Sequence, residues 1–390
     1  MSEKSFVLRG GKVLPIDGDP VENGALTVRD GRVESVAGPG VAPPADLDVV
    51  DVSGKWIVPG FIDAHVHMGV YEESEGWEGR DSNELTDPVG PHLRAVDAIN
   101  PAELGFGDAV AAGVLAVNIQ PGSGNVIGGQ TAAVKCVGRT VDEMALKIPS
   151  GLKSALGENP KRIYGEKDKA PGTRMGVAAL IRGAFVNAQN YQARLAAAEP
   201  GKPAERDLKL EALSKVLNRE IPWRQHCHRA DDIATALRIA DEFGYRIVID
   251  HGTEAHLVAD LIAARGIPVV IGPLMVSRTK VEVRNRSVAN PAKLAAAGID
   301  IALTTDHPVV PIAQYVTQAV LAVKEGLSRD AALRAMTLNP ARVMGVDDRI
   351  GSLTAGKDAD FCVWSGDPLD VNSRVEVAYV DGLVAYQRQS

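Results

Sequence analysis

The chain has 390 residues, more than one ordinary domain needs and close to the length of a barrel with an accessory domain. Hydrophobic residues at 45% and charged residues at 24% are those of a soluble globular protein, and a formal net charge of −8 leaves no basic face for a nucleic-acid partner. No apolar run approaches the roughly 20 residues that a membrane helix needs. Met1–Ser5 leads straight into a strand pattern rather than a secretory leader, and three scattered cysteines, Cys136, Cys227 and Cys362, fit reduced thiols and a cytoplasmic location.

Residues 6 to 58 read as all-β. Phe6–Leu8 and Lys12–Leu14 flank Gly10-Gly11, Ala25–Val28 meets a hairpin turn at Asp30-Gly31, and Val33–Val36 and Val49–Val52 continue the pattern around a Pro/Gly-rich loop from Gly38 to Asp46. From residue 61, strands alternate with helices. The strand candidates are Phe61–Val66, Val114–Ile119, Ala132–Val137, Gly151–Leu156, Trp223–Cys227, Arg246–Ile249, Pro268–Ile271 and Ile299–Thr304. Helical stretches include Ile233–Glu242, Ala255–Arg265, Pro291–Ala297 and Pro311–Glu325. Such a run predicts an α/β fold, a (β/α)8 TIM-type barrel. Residues 192–219 read as an insertion on its outside. A β-rich tail follows Ile350, with strands at Ala359–Trp364, Val375–Tyr379 and, after the Asp381-Gly382 turn, Leu383–Tyr386. The expected organisation is a composite β-sandwich from residues 1–58 plus 350–390, with the barrel at 59–349.

The most informative stretch is Pro59–His67. Side chains alternate along a strand, so His65 and His67 leave the same face and are placed to bind one divalent metal. Catalytic groups of such barrels gather at the carboxyl ends of strands. His65 and His67, Glu158, His226 and His228, His251 and Asp306 all sit at such ends. With His307 just beyond Asp306, six of the eight histidines sit at or just past such ends and only His92 and His256 lie elsewhere, a distribution that chance explains poorly. Cys227, on the opposite pleat from its flanking histidines, is read as a packing residue.

Pro59–His67, Ala111–Val114, Asp250-His251-Gly252, Thr305-Asp306-His307, Asn339-Pro340-Ala341 and Ile350–Asp360 together resemble the metal-dependent amidohydrolase superfamily, in its imidazolonepropionase-like and prolidase-like branch. The resemblance implies the terminal β-sandwich and a zinc-type divalent cofactor, one ion or two. It implies His65, His67, His226, His251 and Asp306 as ligands, with His228 toward substrate or a neighbouring metal position. On the fourth strand Glu158, at the strand end, is favoured as a further ligand over Lys153, which relatives carrying a carboxylated lysine would use to bridge two metals.

Neutral imidazoles around such an ion lower the pKa of bound water to roughly 7. Asp306 can then take a proton from that water and return it to a leaving nitrogen, while His251 polarises the attacked carbonyl. The expected activity is hydrolysis of an amide, lactam or peptide C–N bond in a small molecule. Arg162, Arg174 and Arg229, near strand ends, suggest a carboxylate on the substrate. Gln130, in a Gly122–Gln130 segment read as a flexible loop beside the mouth, is a further candidate contact, and the acidic loop from Tyr71 to His92 is long enough to cover the site. Deamination of an amino-heterocycle is the alternative reaction, weakened because Arg229, Ala230 and Asp231 stand where a deaminase has its glutamate. A non-catalytic scaffold is the alternative of another class, and a homo-oligomer is possible in either case.

Overall fold

The structure is a computed structural model that describes residues 4–74, 76–198 and 205–389. Two eight-stranded sheets organise it. The amino-terminal strands are β1 (Phe6–Val13), β2 (Val21–Arg29), β3 (Arg32–Ala37), β4 (Asp48–Asp51) and β5 (Trp56–Pro59). Then come β6 (Phe61–Val66), β7 (Val114–Ile119), β8 (Ile127–Lys135), β9 (Ala145–Ala155), β10 (Trp223–Cys227), β11 (Ile247–His251), β12 (Val269–Ile271) and β13 (Ile301–Leu303), and at the carboxyl end β14 (Phe361–Trp364), β15 (Val375–Val380) and β16 (Leu383–Gln387).

The first sheet runs β16-β15-β14-β5-β1-β2-β3, with β4 beside β1, so strands from both ends of the chain pair directly. Phe361 lies opposite Pro59 and Trp364 opposite Trp56 in that junction. The two expected Asp-Gly turns form: Asp30 and Gly31, and Asp381 and Gly382, all carry positive φ, the backbone that a two-residue hairpin of primed type needs. Gly10 does not break the first strand. It adopts φ +90°, and the ladder slips beside it as a bulge, joining the two expected pieces into β1.

The second sheet follows chain order from β6 to β13 and nearly closes into a barrel, within a mixed α/β molecule. Its strands correspond to the eight expected segments, but the strict parallel pattern does not hold: β8 is antiparallel to both β7 and β9. The reason is the connection. Residues 120–126 carry no helix, and a parallel return requires a long crossover that so short a link cannot make. The Gly122–Gln130 segment is correspondingly not a flexible loop throughout, because Ile127–Gln130 belong to β8 and Asn125 donates to the carbonyls of Glu84 and Asp87. Of the expected 192–219 insertion, residues 199–204 lie outside the described residues; the rest contributes the end of the helix Arg174–Ala196 and the helix Leu208–Leu217.

Between β6 and β13, side chains hold the seam. Thr304 Oγ1 donates to the His65 carbonyl (2.6 Å), and Asp63 Oδ2 accepts from both the amide (2.8 Å) and the hydroxyl (2.6 Å) of Thr305. The Tyr315 hydroxyl donates to the Ile62 carbonyl, and the His67 amide reaches the His307 carbonyl. The strand bearing the His-x-His pair is thereby fixed to the strand end bearing Asp306. Cys227 is fully buried in the aliphatic core, as a packing residue would be.

The barrel and the terminal sheet are also tied by one buried cation. Lys135 Nζ lies 2.9 Å from Asp358, 2.9 Å from Asp360 and 2.7 Å from Asp381. Asp360 is buried and pushed up by burial, Asp358 is held low despite it by Lys135 and Arg349. Replacing Lys135 with methionine should therefore cost about 3–5 kcal/mol, since it strands buried carboxylates without a counter-charge. Urea unfolding at pH 7 checks this; a loss below about 1 kcal/mol would mean that the tie is idle.

Candidate metal centre

At the carboxyl ends of the barrel strands the structure brings together His65, His67, His226, His228, His251 and Asp306. The His65 and His251 ring centroids are 4.7 Å apart, His226 and His251 4.6 Å, and His228 and His251 5.0 Å. Asp306 Oδ1 faces His67 Nε2 at 3.2 Å and His65 Nε2 at 3.5 Å. That oxygen is buried and has no hydrogen-bond partner.

The Nδ1 atoms of four of these rings are hydrogen-bonded, while that of His65 is not. His67 Nδ1 and His251 Nδ1 lie 2.8 Å from the carbonyls of Gln120 and Gly272. A carbonyl can only accept, so each Nδ1 carries the proton and each Nε2 keeps its lone pair directed inward. His226 Nδ1 meets the Ser123 hydroxyl and His228 Nδ1 the Thr253 hydroxyl, both at 2.8 Å. Burial pushes His65, His226, His228 and His251 below the ordinary histidine range, which keeps them neutral, the form that ligates a metal. Against burial, His251, His67 and His65 hold the Asp306 carboxyl well below the usual range. An unsatisfied buried carboxylate oxygen facing inward-directed imidazole lone pairs is a donor set that fits a divalent cation.

On the fourth strand it is Lys153, not Glu158, that reaches this centre. Lys153 is fully buried, with Nζ 3.2 Å from His65 Nε2; burial pushes its amine down to about 8, against Asp250 and Asp306. Glu158 begins the helix Glu158–Gly165, where its amide donates to Glu282 Oε2, and its carboxylate joins none of the metal-competent clusters among the described residues. The sharp turn at Gly157, φ +92°, ends the β9 direction before Glu158 and aims that residue away.

The arginines marked in the sequence are otherwise occupied. Arg174 pairs with Asp232 and Arg229 with Asp231, and Arg162 is exposed on the helix after β9. Gln130 donates weakly to the Pro91 carbonyl at 3.4 Å on the flank of β8 and is not among the histidines.

Several residues of the centre went unmarked. Asp63 and Arg224 lie on the same pleats as His65 and His226, so extending the two-residue period by one step would have found both. Arg224, fully buried, donates from Nη2 to Asp250 Oδ1 (2.6 Å) and to the Ala64 carbonyl (2.9 Å). Asp250 Oδ2 in turn lies 3.3 Å from His65 Nδ1, and against burial Arg224 and His65 keep it strongly acidic. Glu282, from the segment after β12, forms a second metal-competent group with His226 and His228. It is 3.8 Å from His228 Nε2 and 2.6 Å from Lys280 Nζ. No local pattern signals that long-range approach.

A third group, Glu73, Glu103 and His307, fits a cation less well. His307 Nδ1 accepts from the Ile312 amide, which leaves the ring proton on Nε2, the atom facing Glu103 at 4.0 Å. At the opposite end of the barrel a cleft of about 650 Å³ is lined by Lys147, Arg219, Arg246 and Arg342. Lys147, Arg219 and Arg246 bond carbonyls at helix ends, Arg219 to Gly244 and Arg246 to Arg219, both at 2.7 Å, and Lys147 to Gly345. Those cations offset helix carboxyl termini and have no reacting group beside them.

Replacing buried Arg224 with methionine should destabilise the fold by about 3–5 kcal/mol, because Asp250 loses its counter-charge. Replacing half-exposed Arg229 with alanine should cost under about 1 kcal/mol. Chemical denaturation of the pair measures the difference, and equal costs would contradict the charge arrangement described.

The amidohydrolase family profile matches residues 56–385. A solved amidohydrolase from Thermotoga maritima is 45% identical, covers 98% of this chain and 100% of its own, and superposes with a TM-score of 0.95. Amidohydrolase tasK of Hapsidospora irregularis is 29% identical over 94% of this chain, which spans only 39% of that longer protein. The imidazolonepropionase of Agrobacterium fabrum is 25% identical over 92% of this chain and 87% of its own length. A prolidase solved with N-methylphosphonate-L-proline shares the fold at 19% identity and a TM-score of 0.65. No helix among the described residues is long and apolar enough to cross a membrane.

Proposed function

The chain belongs to the amidohydrolase family, and on that premise we propose that it is a metal-dependent hydrolase of an amide, lactam or peptide C–N bond in a small, carboxylate-bearing substrate. The observation that carries this reading is the unpartnered Asp306 oxygen faced by the Nε2 atoms of His65 and His67. His65, His67 and Asp306 would hold one divalent ion, and His226 and His251 would complete the same centre or hold a second. When bound, a zinc-type ion supplies Lewis acidity that brings the pKa of water toward neutrality.

His226 is preferred to His228 as ligand because its ring lies nearer that of His251, 4.6 Å against 5.0 Å between centroids. His228 then belongs to the substrate side. Lys153 would take the fourth-strand position as a carbamate: the ammonium gives up one proton, the amine so formed adds to carbon dioxide through a new N–C bond, and a second proton leaves. That would turn a buried cation among imidazoles into an anion able to ligate a divalent ion.

Asp306 accepts a proton as water oxygen attacks the carbon of the C–N bond, then delivers that proton to the nitrogen as the bond breaks. The products are a carboxylic acid and an amine. The buried Arg224–Asp250 pair fixes the orientation of His65 through Nδ1 and touches no substrate. We also take residues 1–58 with 350–390 as a composite β-sandwich domain and 59–349 as the barrel domain. Phe6, Leu26, Ile57, Phe361 and Val363 share an apolar cluster within the terminal sheet, which supports that division.

A panel of N-acyl amino acids, dipeptides, lactams and amino-heterocycles, assayed with metal-loaded protein, tests the reading. Asp306→Asn should lower turnover at least about a hundredfold while leaving thermal unfolding nearly unchanged. Lys153→Met should lose activity, and Lys153→Glu, which supplies a carboxylate directly, should regain part of it. Full turnover by Asp306→Asn overturns the mechanism.

A further inference from the structure

The segment between β12 and the helix Asn290–Ala296 crosses the carboxyl end of the barrel and is anchored on both sides. Glu282 Oε2 accepts the Glu158 amide, Lys280 donates to Asn159 Oδ1 (2.8 Å), and Asn285 donates to Glu254 Oε1 (2.7 Å). The two cations it presents to the centre differ in kind. Lys280 is already neutralised by Glu282, 2.6 Å away. Arg286 is half-buried and has no carboxylate partner among the described residues, and its charge bears on both Asp306 and His228.

Arg286 is held by one end only. Nη1 donates to the carbonyls of Val276 (3.3 Å) and Ser277 (3.1 Å), and Nε and Nη2 have no acceptor among the described residues. Those two N–H groups form the edge of the guanidinium that grips a carboxylate with two parallel hydrogen bonds. Arg286 lines a cavity of about 10 Å³, room for one water, together with His251 and with Thr253, whose hydroxyl meets His228 Nδ1, so a ligand group must enter from the mouth rather than fill that space. Exposed Arg278 donates to the Arg286 carbonyl and adds a further positive charge beside it. An arginine anchored by Nη1, with no acceptor for its other edge among the described residues and lining the same cavity as His251, has no structural task there for that edge.

We infer that Arg286 is the specificity residue of this enzyme, receiving the substrate carboxylate on its free Nε–Nη2 edge above His251. The inference rests on the hydrolase reading for its substrate, and it moves substrate recognition from Arg162, Arg174 and Arg229 to the segment after β12. It restricts the substrate to a molecule whose carboxylate lies on the same side as the scissile bond, as in an N-acyl amino acid or a dipeptide with a free carboxyl terminus.

The test compares N-acetyl-amino acids with their carboxamides. Wild-type protein should favour the acids in kcat/KM on the order of a hundredfold, since a site built to hydrogen-bond one group rejects the analogue that lacks it. Arg286→Met should erase that preference by lowering kcat/KM for the acids alone, and Arg286→Lys should restore part of it. A second measurement needs no turnover: calorimetric binding to Asp306→Asn protein should favour the acid, and Arg286→Met in that background should equalise the two ligands. Binding discrimination without hydrolysis of either series would sink the hydrolase reading and leave Arg286 standing. Equal losses for acid and carboxamide, binding that ignores the carboxylate, or a preference that survives Arg286→Met would each overturn the assignment.

Discussion

Burial of several imidazoles around a single carboxylate is the constraint on which the barrel mouth depends. Desolvation pushes His65, His226, His228 and His251 toward the neutral form, which weakens the compensation that His251, His67 and His65 give the Asp306 carboxylate. Asp306 nonetheless stays ionised, with one buried oxygen that has no hydrogen-bond partner among the described residues. A buried charge lacking its partner is expensive, and a cation from outside is the natural remedy. The neighbouring charges follow the same logic: Asp250 is balanced by Arg224, and Lys153 sits between the two carboxylates with its amine driven toward the neutral form.

Geometry at this end of the barrel is held under strain. His251 and Asp306 both adopt left-handed backbone, with φ of +71° and +55°. Such conformations cost non-glycine residues about 1–3 kcal/mol each, and they persist where surrounding contacts over-determine them. Here those contacts can be named. Gly272 holds the His251 ring, Thr304 Oγ1 accepts the Asp306 amide, and the Asp63–Thr305 bonds lock the seam just below. The barrel needs no continuous ladder between its first and last strands, because side chains of the Thr304-Thr305-Asp306 run do that work and aim the carboxylate at the same time.

How much of this could be read from the chain varied with the range of the interaction. Strand period alone placed His65 with His67 and His226 with His228, and hydrophobic runs located the eight barrel strands. The reversed direction of β8 was not visible, because an apolar strand reads the same both ways and only the short link at 120–126 betrays it. Glu158 looked like a ligand because it follows a strand, yet the turn at Gly157 carries it off the end while Lys153, two pleats back from Ala155 along the strand, reaches inward. Arg286 and Glu282 come from a segment with no regular period, and their approach to the histidines depends on how that segment crosses the mouth. The surface arginines chosen instead each had a near neighbour in sequence or space ready to pair with them, or lay exposed.

The most direct measurement is elemental analysis of the purified protein, paired with the same analysis of His65→Ala and His67→Ala variants whose folding is verified by circular dichroism. The arrangement around Asp306 predicts one or two divalent ions per chain in the parent protein and a loss of at least one in each variant, with secondary structure unchanged. A parent protein that is folded and free of stoichiometric metal, even after incubation with zinc, would contradict it.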